Sequence, residues 1–198
     1  LHVHTKHSFD AYIFGITATP NDAYRYAKGD GIMHPMGYEM KLREPLDFYS
    51  VTDHGFFMGM LNAWADTTTD ISQKDFAKPF HDLNRIENLT AESAGPRSAL
   101  FSTILGGTVT QTYSDLNPNI LKAWFTKNTQ AALKSFDYKI HKSAWEDVAR
   151  AANEHNDPGH FTTFIGYEFT TSTNVEGGNL HRNVIFNSSK APIRPWTR

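Results

Sequence analysis

The sequence has no cysteine. That excludes disulfides, thiolate metal sites and cysteine nucleophiles together. It leaves the compartment open, because proteins of several compartments lack cysteine. No apolar run is long enough to span a bilayer. Neither charge dominates: 19 Lys and Arg face 21 Asp and Glu, for a net charge of −2. No electrostatic argument therefore points to nucleic acid or an anionic lipid surface as partner. A near-neutral chain can still bind phosphate, since bound metal ions supply local positive charge. No internal repeat, low-complexity run, glycine-rich phosphate loop, nucleophile elbow or zincin helix motif is present.

Histidine is what the chain has in quantity, with ten among 198 residues. It is the commonest metal ligand and the usual proton carrier near neutral pH. The length suits one domain, and the 39% hydrophobic content suits a globular core. The chain opens on Leu1 and its first chemistry stands at His2. The strand carrying His2 is therefore expected to begin earlier, in a fragment that starts inside a domain.

Leu1 to Thr5 reads as the end of a buried strand. Thr19-Pro20-Asn21-Asp22 is a helix start, with Thr as N-cap, Pro at the first helical position and an acid in the first turn. Gly29 stops that helix, and 29–45 reads as a loop. Leu46 to Thr52 is a second strand, ending in Asp53-His54-Gly55. Strand, helix and strand predict a right-handed βαβ unit in a parallel sheet. From Phe56 to Pro158 the chain reads as helix and loop, with helices expected over 75–89, 118–134 and 143–155. Ser143 and Glu146 form a candidate capping box for the last of these. We read 60–158 as a helical insertion or lid within a single domain spanning 1–198, because so long a stretch without strands exceeds an ordinary crossover. Phe161 to Phe169 is β-rich, 174–179 is a glycine-rich turn, Arg182 to Phe186 is a strand, and the tail from Lys190 is extended.

Four segments place metal-ligating residue types near expected strand ends. His2 and His4 are two apart, so on a strand they project to one side. A polar loop with His7, Ser8 and Asp10 follows. Asp53-His54 closes an apolar strand, where parallel α/β folds carry their functional groups. An ordinary Asx turn is the competing reading there. Glu168 lies among aromatics in Gly-Tyr-Glu-Phe-Thr, where burial is costly unless the carboxylate is paired or metal-bound. His181 precedes the last strand. Alone, each has a structural explanation. As a set, imidazole and carboxylate without thiolate suit Zn, Mn or Fe and metal-assisted hydrolysis. His34 follows the first helix and is a candidate substrate contact, as is His7. Lys6, Arg43 and Arg182 are candidate phosphate contacts. His81, His141, His155 and His160 read as structural or surface residues.

The order His-x-His-Thr, Ser-x-Asp, Thr-Asp-His-Gly, Gly-Tyr-Glu-Phe-Thr and a final His before a strand resembles the PHP (polymerase and histidinol phosphatase) superfamily. Residues 1–27, 45–59 and 179–186 resemble more closely an uncharacterised bacterial family known as domain of unknown function 3604. The resemblance implies an α/β fold, a distorted (β/α)7 barrel with metals at the carboxyl ends of its strands. It implies two or three divalent ions held by His2, His4, Asp10, His54, Glu168 and His181. Glu168 would bridge two ions, and Asp53 would orient a ligand histidine or the attacking water, so that Asp53, His54 and Glu168 carry the catalysis. A small-molecule phosphoester would be the substrate. The superfamily's further histidine and closing Asp-x-His motif have no counterpart before Arg198, so the barrel is expected to be incomplete here. By resemblance alone, a periplasmic or secreted location fits, and a cytoplasmic one also remains open. Two other readings stay open. One is an amidohydrolase-like C–O or C–N hydrolase, which also starts with His-x-His. The other is a non-catalytic metal-binding PHP domain.

Overall fold

The computed structural model describes residues 2–105, 135–172 and 179–196. β1 (His2–Val3) pairs in parallel with β4 (Phe48–Val51), and β4 pairs in parallel with β5 (Thr162–Thr163). β6 (Ile165–Ser172) and β7 (Asn179–Phe186) form an antiparallel pair. The two sheets join where β6 runs beside the exit of β4. There His54 and Glu168 form a parallel bridge, Gly55 N–H donates to Glu168 O and Glu168 N–H to Asp53 O, each at 2.9 Å. The parallel pairing expected of β1 and β4 is present. Among the described residues the strands do not close into a barrel, and no helix is long and apolar enough to cross a membrane.

α2 (Pro20–Ala27) begins where the sequence places it. Thr19 Oγ1 accepts from Asp22 N–H at 3.1 Å, and Asp22 Oδ2 accepts from Thr19 N–H at 2.9 Å. This reciprocal pair satisfies two donors that a helix start leaves open. Gly29, just past the end, adopts φ +89°, a left-handed conformation that suits glycine. The expected loop over 29–45 contains a small antiparallel hairpin, β2 (Ile32–Met33) with β3 (Glu39–Met40).

The single helix expected over 75–89 does not form. Short 3-10 turns occupy Lys78–Phe80 and Ile86–Asn88. Pro79 lacks an N–H, Asp82 sits at φ +56°, and the carbonyls of Leu83 and Asn88 accept from Arg97 instead of from a helix. α1 (Phe9–Ile13), α3 (Met60–Ala65) and α4 (Ala94–Leu105) complete this region. The helix expected over 118–134 lies outside the described residues, as does most of the glycine-rich turn. α5 (Tyr138–His155) starts earlier than Ser143, because Asp137 caps it by accepting from Lys139 and Ile140 N–H.

α2 and α5 cover one face of the sheet. Tyr24, Tyr49, Val51, Trp145, Val148, Ile165 and Tyr167 make this core, each large apolar side chain contributing about 1.5–3 kcal/mol. α5, inside the stretch read as an insertion, thus belongs to the main core. Phe9, Ile13, Phe57, Met60, Leu61, Trp64 and Phe80 form a second cluster around α1 and α3. The tail is irregular and returns to the core: Trp145 Nε1–H donates to Pro192 O at 2.7 Å.

Candidate metal centre

The six residues singled out as ligands meet in one place. His2 and His4 extend from the end of β1, and Asp10 from the first turn of α1. His54 follows β4, and Glu168 and His181 come from β6 and β7. Glu168 lies within β6, level with the exits of β1 and β4 through its bridge to His54. In the β6–β7 register Glu168 faces Asn183 and Thr170 faces His181. Directly opposed residues and residues two apart share a face, so Glu168, Thr170, His181 and Asn183 all project toward the cluster.

Glu168 is the hub and is only 3% exposed. Its Oε2 lies 2.9 Å from His4 Nε2, 3.4 Å from His2 Nε2 and 3.6 Å from His54 Nδ1. Its Oε1 contacts His181 Nδ1. His2 Nε2 and His4 Nε2 are 3.2 Å apart. On the far side, Asp10 Oδ1 lies 3.2 Å from His4 Nδ1, and Asp10 Oδ2 lies 3.4 Å from His54 Nε2. Three overlapping groups result: His2, His4 and Glu168; His4, Asp10 and His54; and His54, Glu168 and His181.

Hydroxyl groups set the imidazoles. Ser8 Oγ donates to Asp10 Oδ1 at 2.6 Å and accepts from His54 N–H at 3.2 Å. Its remaining lone pair takes the Nδ1–H of His4, 2.8 Å away. Thr52 Oγ1 lies 2.6 Å from His2 Nδ1 and accepts from Val3 N–H at 3.3 Å. For His4, the Asp10 carboxylate 3.2 Å from Nδ1 and the Ser8 hydroxyl favour a proton on Nδ1. The Nε2 atoms of both rings converge on each other and on the Glu168 carboxylate. Three potential donor atoms with edges of 2.9, 3.2 and 3.4 Å need either a shared proton or a metal cation among them. Donor atoms about 2.1 Å from a first-row ion stand about 3.0–3.4 Å apart, so these spacings fit such an ion.

The titration pattern follows the same geometry. Burial disfavours the His4 imidazolium, but the hydrogen bond and charge of Asp10, with Asp53 and Glu168, outweigh it and raise its pKa. His2 is lowered, first by burial and then by the charge of His4. For Asp10, burial acts to raise the pKa, yet hydrogen bonds from His4, His54 and Ser8 hold it well below the usual carboxylate range. Asp53 is fully buried, and desolvation raises its pKa despite its two bonds from Thr5.

The other expected site residues are placed differently. Thr5 occupies both Asp53 oxygens, through its N–H and through Oγ1–H at 2.7 Å. Asp53 therefore anchors the loop after β1, and its charge acts on His4. His7 Nε2 is 2.8 Å from Asp147 Oδ2 on α5, and its Nδ1 is buried without a partner. Arg182 faces Phe169 in the register and so lies on the opposite face of the ribbon from Glu168. His34 lies on the hairpin, stacked on Tyr38 with ring centroids 4.4 Å apart, and lines a cavity that His4 also lines. His141 is buried with Nε2 2.7 Å from Gly55 O, a structural contact. Sequence reasoning missed Thr52 and Thr170, whose Oγ1 is 2.6 Å from His54 Nδ1. Their signal was parity: Thr52 is two residues before His54, and Thr170 two after Glu168.

Fold and site together define an α/β protein with a histidine–carboxylate cluster at the exits of parallel strands. Residues 1–197 match the family model described as Protein of unknown function (DUF3604), and the chain belongs to that family. No curated protein and no solved structure matches the chain.

Proposed function

We propose that this chain is a metal-dependent hydrolase of the PHP superfamily that cleaves phosphate-type esters at the six-residue cluster. The superfamily assignment rests on the order of the motifs along the chain. The observation that carries the metal reading is the convergence of His2 Nε2, His4 Nε2 and Glu168 Oε2 at 2.9–3.4 Å, one of three such His–carboxylate groups that overlap. His2, His4, Asp10, His54, Glu168 and His181 would hold two or three divalent ions, and this ligand set suits Zn, Mn or Fe. Bound ions would supply Lewis acidity, lowering the pKa of water and drawing charge from the ester oxygens.

The chain's own residues do the positioning. Glu168 ties two of the donor groups together through its two oxygens. Ser8, Thr52 and Thr170 fix ring orientation, as partners of metal-ligating histidines commonly do. Asp53 holds Thr5, and with it the turn between His4 and Ser8. His2 and His181 have side chains 45% and 44% exposed, so substrate reaches the cluster from their side.

The test is hydrolysis of 4-nitrophenyl phosphate and bis(4-nitrophenyl) phosphate with added Mn or Zn. Turnover that chelator abolishes, and that Glu168→Gln lowers by three orders of magnitude or more, supports the proposal. Stoichiometric metal with no turnover would favour the non-catalytic domain. Lactone or ester turnover without phosphoester turnover would favour amidohydrolase-like chemistry.

A further inference from the structure

A cavity of about 910 Å³ opens beside the cluster, and His4 borders both. It lies between α2, the β2–β3 hairpin and the segment leading into α4. Its volume is that of a pocket for a drug-sized molecule. Phe14, Ile16, Met33, Met36 and Met40 line it, and all five are exposed. So much apolar surface around one opening marks a binding site more often than chance exposure. Methionines, flexible and polarisable, adapt to apolar groups of varied shape.

Of the Asp and Arg side chains at its wall, Asp22 and Arg97 are hydrogen-bonded elsewhere, and Arg25 is half-exposed with ion-pair distances of 3.6 and 3.8 Å. Asp22 caps Thr19, and Arg25 lies between Asp22 and Asp30. Arg97, only 4% exposed, gives its five N–H donors to Ser93 Oγ, Asn84 Oδ1 and the carbonyls of Ile13, Leu83 and Asn88. It staples the 3-10 segment to α1 and has no donor left for a ligand. Apart from Arg25 and His34, the cavity wall thus presents mainly apolar side chains, while the cluster beside it presents imidazole and carboxylate groups.

We propose that this cavity is a subsite for an uncharged apolar moiety, the alcohol portion of an ester whose anionic group sits at the cluster. The inference rests on the hydrolase reading for the word ester, and on the cavity alone for the word apolar. The substrate class is then a phosphoester of an aryl or medium-chain alkyl alcohol. His34, stacked on Tyr38 at the rim, is the polar group placed to meet such an alcohol.

Two measurements test the two halves separately. Equilibrium binding of 1-naphthol, followed by its fluorescence, reads the cavity without turnover. Wild type should bind it, and Ile16→Glu and Met36→Glu, each at an exposed position, should weaken binding at least tenfold with bound metal unchanged. In a series from ethyl to hexyl phosphate, kcat/KM should rise about threefold to fourfold per methylene. No naphthol binding, or binding that neither variant changes, overturns the apolar subsite whatever the activity. A flat alkyl series in an active enzyme also overturns it. Naphthol binding lost in both variants, in protein that cleaves no phosphoester, upholds the subsite and overturns the phosphoesterase reading instead.

Discussion

Replacing Glu168 with glutamine separates a metal cluster from a network of histidine–carboxylate ion pairs. Glutamine keeps the shape but removes the charge that meets His2, His4, His54 and His181. Loss of a group that only supports a ligand lowers metal affinity by about 10–100-fold. Glu168 is itself a donor to two of the groups, so its loss should weaken binding by about 100-fold or more. At an Mn concentration 100 times the wild-type Kd, one bound ion stabilises the fold by about 2.7 kcal/mol. For a domain of this size that raises Tm by about 5–10 °C. In Glu168→Gln the same concentration is no more than the new Kd, and stabilisation falls to about 0.4 kcal/mol, or about 1–2 °C. The assay is a thermal melt of both proteins with Mn and with chelator, with Glu146→Gln, at an exposed position of α5, as control. An equal shift in wild type and variant, or none in wild type, would refute the metal argument. An ion-pair network alone predicts no Mn effect in either protein.

Further predictions test the supports of the site and the fold. Thr170→Val removes the hydroxyl 2.6 Å from His54 Nδ1 and should lower Mn affinity by about 10–100-fold with Tm of the metal-free protein little changed, read by competition with a chelating dye. Asp147 is held down to about 2, first by the His7 hydrogen bond and, against some desolvation, by Arg150. Its folded pKa lies below the unfolded value of 3.8, so its stabilisation is complete above that value and lost as pH falls toward about 2. After allowance for solvent screening, Asp147→Asn should cost about 1 kcal/mol at pH 6 and nothing near pH 2, in urea unfolding at both. Gly59 has φ +75°, and a Cβ there would stand 2.5 Å from that of Ala144. Gly59→Ala should therefore cost about 2–3 kcal/mol through strain and the clash of α3 against α5, and unchanged urea stability would contradict that close approach.

The six residues of the cluster were legible in the sequence because their signals are local. His2 and His4 declare themselves by strand parity, and His54 by following an apolar strand. Glu168 does so by being a carboxylate among aromatics. The start of α2 was legible for the same reason, since Thr19, Pro20 and Asp22 are adjacent. What stayed hidden depends on distant partners. That Asp53 is bound at both oxygens by Thr5, 48 residues away, has no local signal. The region 75–89 reads like a helix until the guanidinium of Arg97 takes its carbonyls. Arg182 resembles a phosphate ligand beside His181, but one residue along a strand is the opposite face. The β2–β3 hairpin gave little signal, because each strand has two residues.

The most direct test of the central claim is the metal content of protein purified without a histidine tag, measured by elemental analysis after dialysis against Mn or Zn. The account predicts two or more ions per chain in wild type, and a sharp fall in Glu168→Gln. Wild-type protein that retains no stoichiometric metal would contradict it, and the contact between His2, His4 and Glu168 would then need a proton in place of an ion.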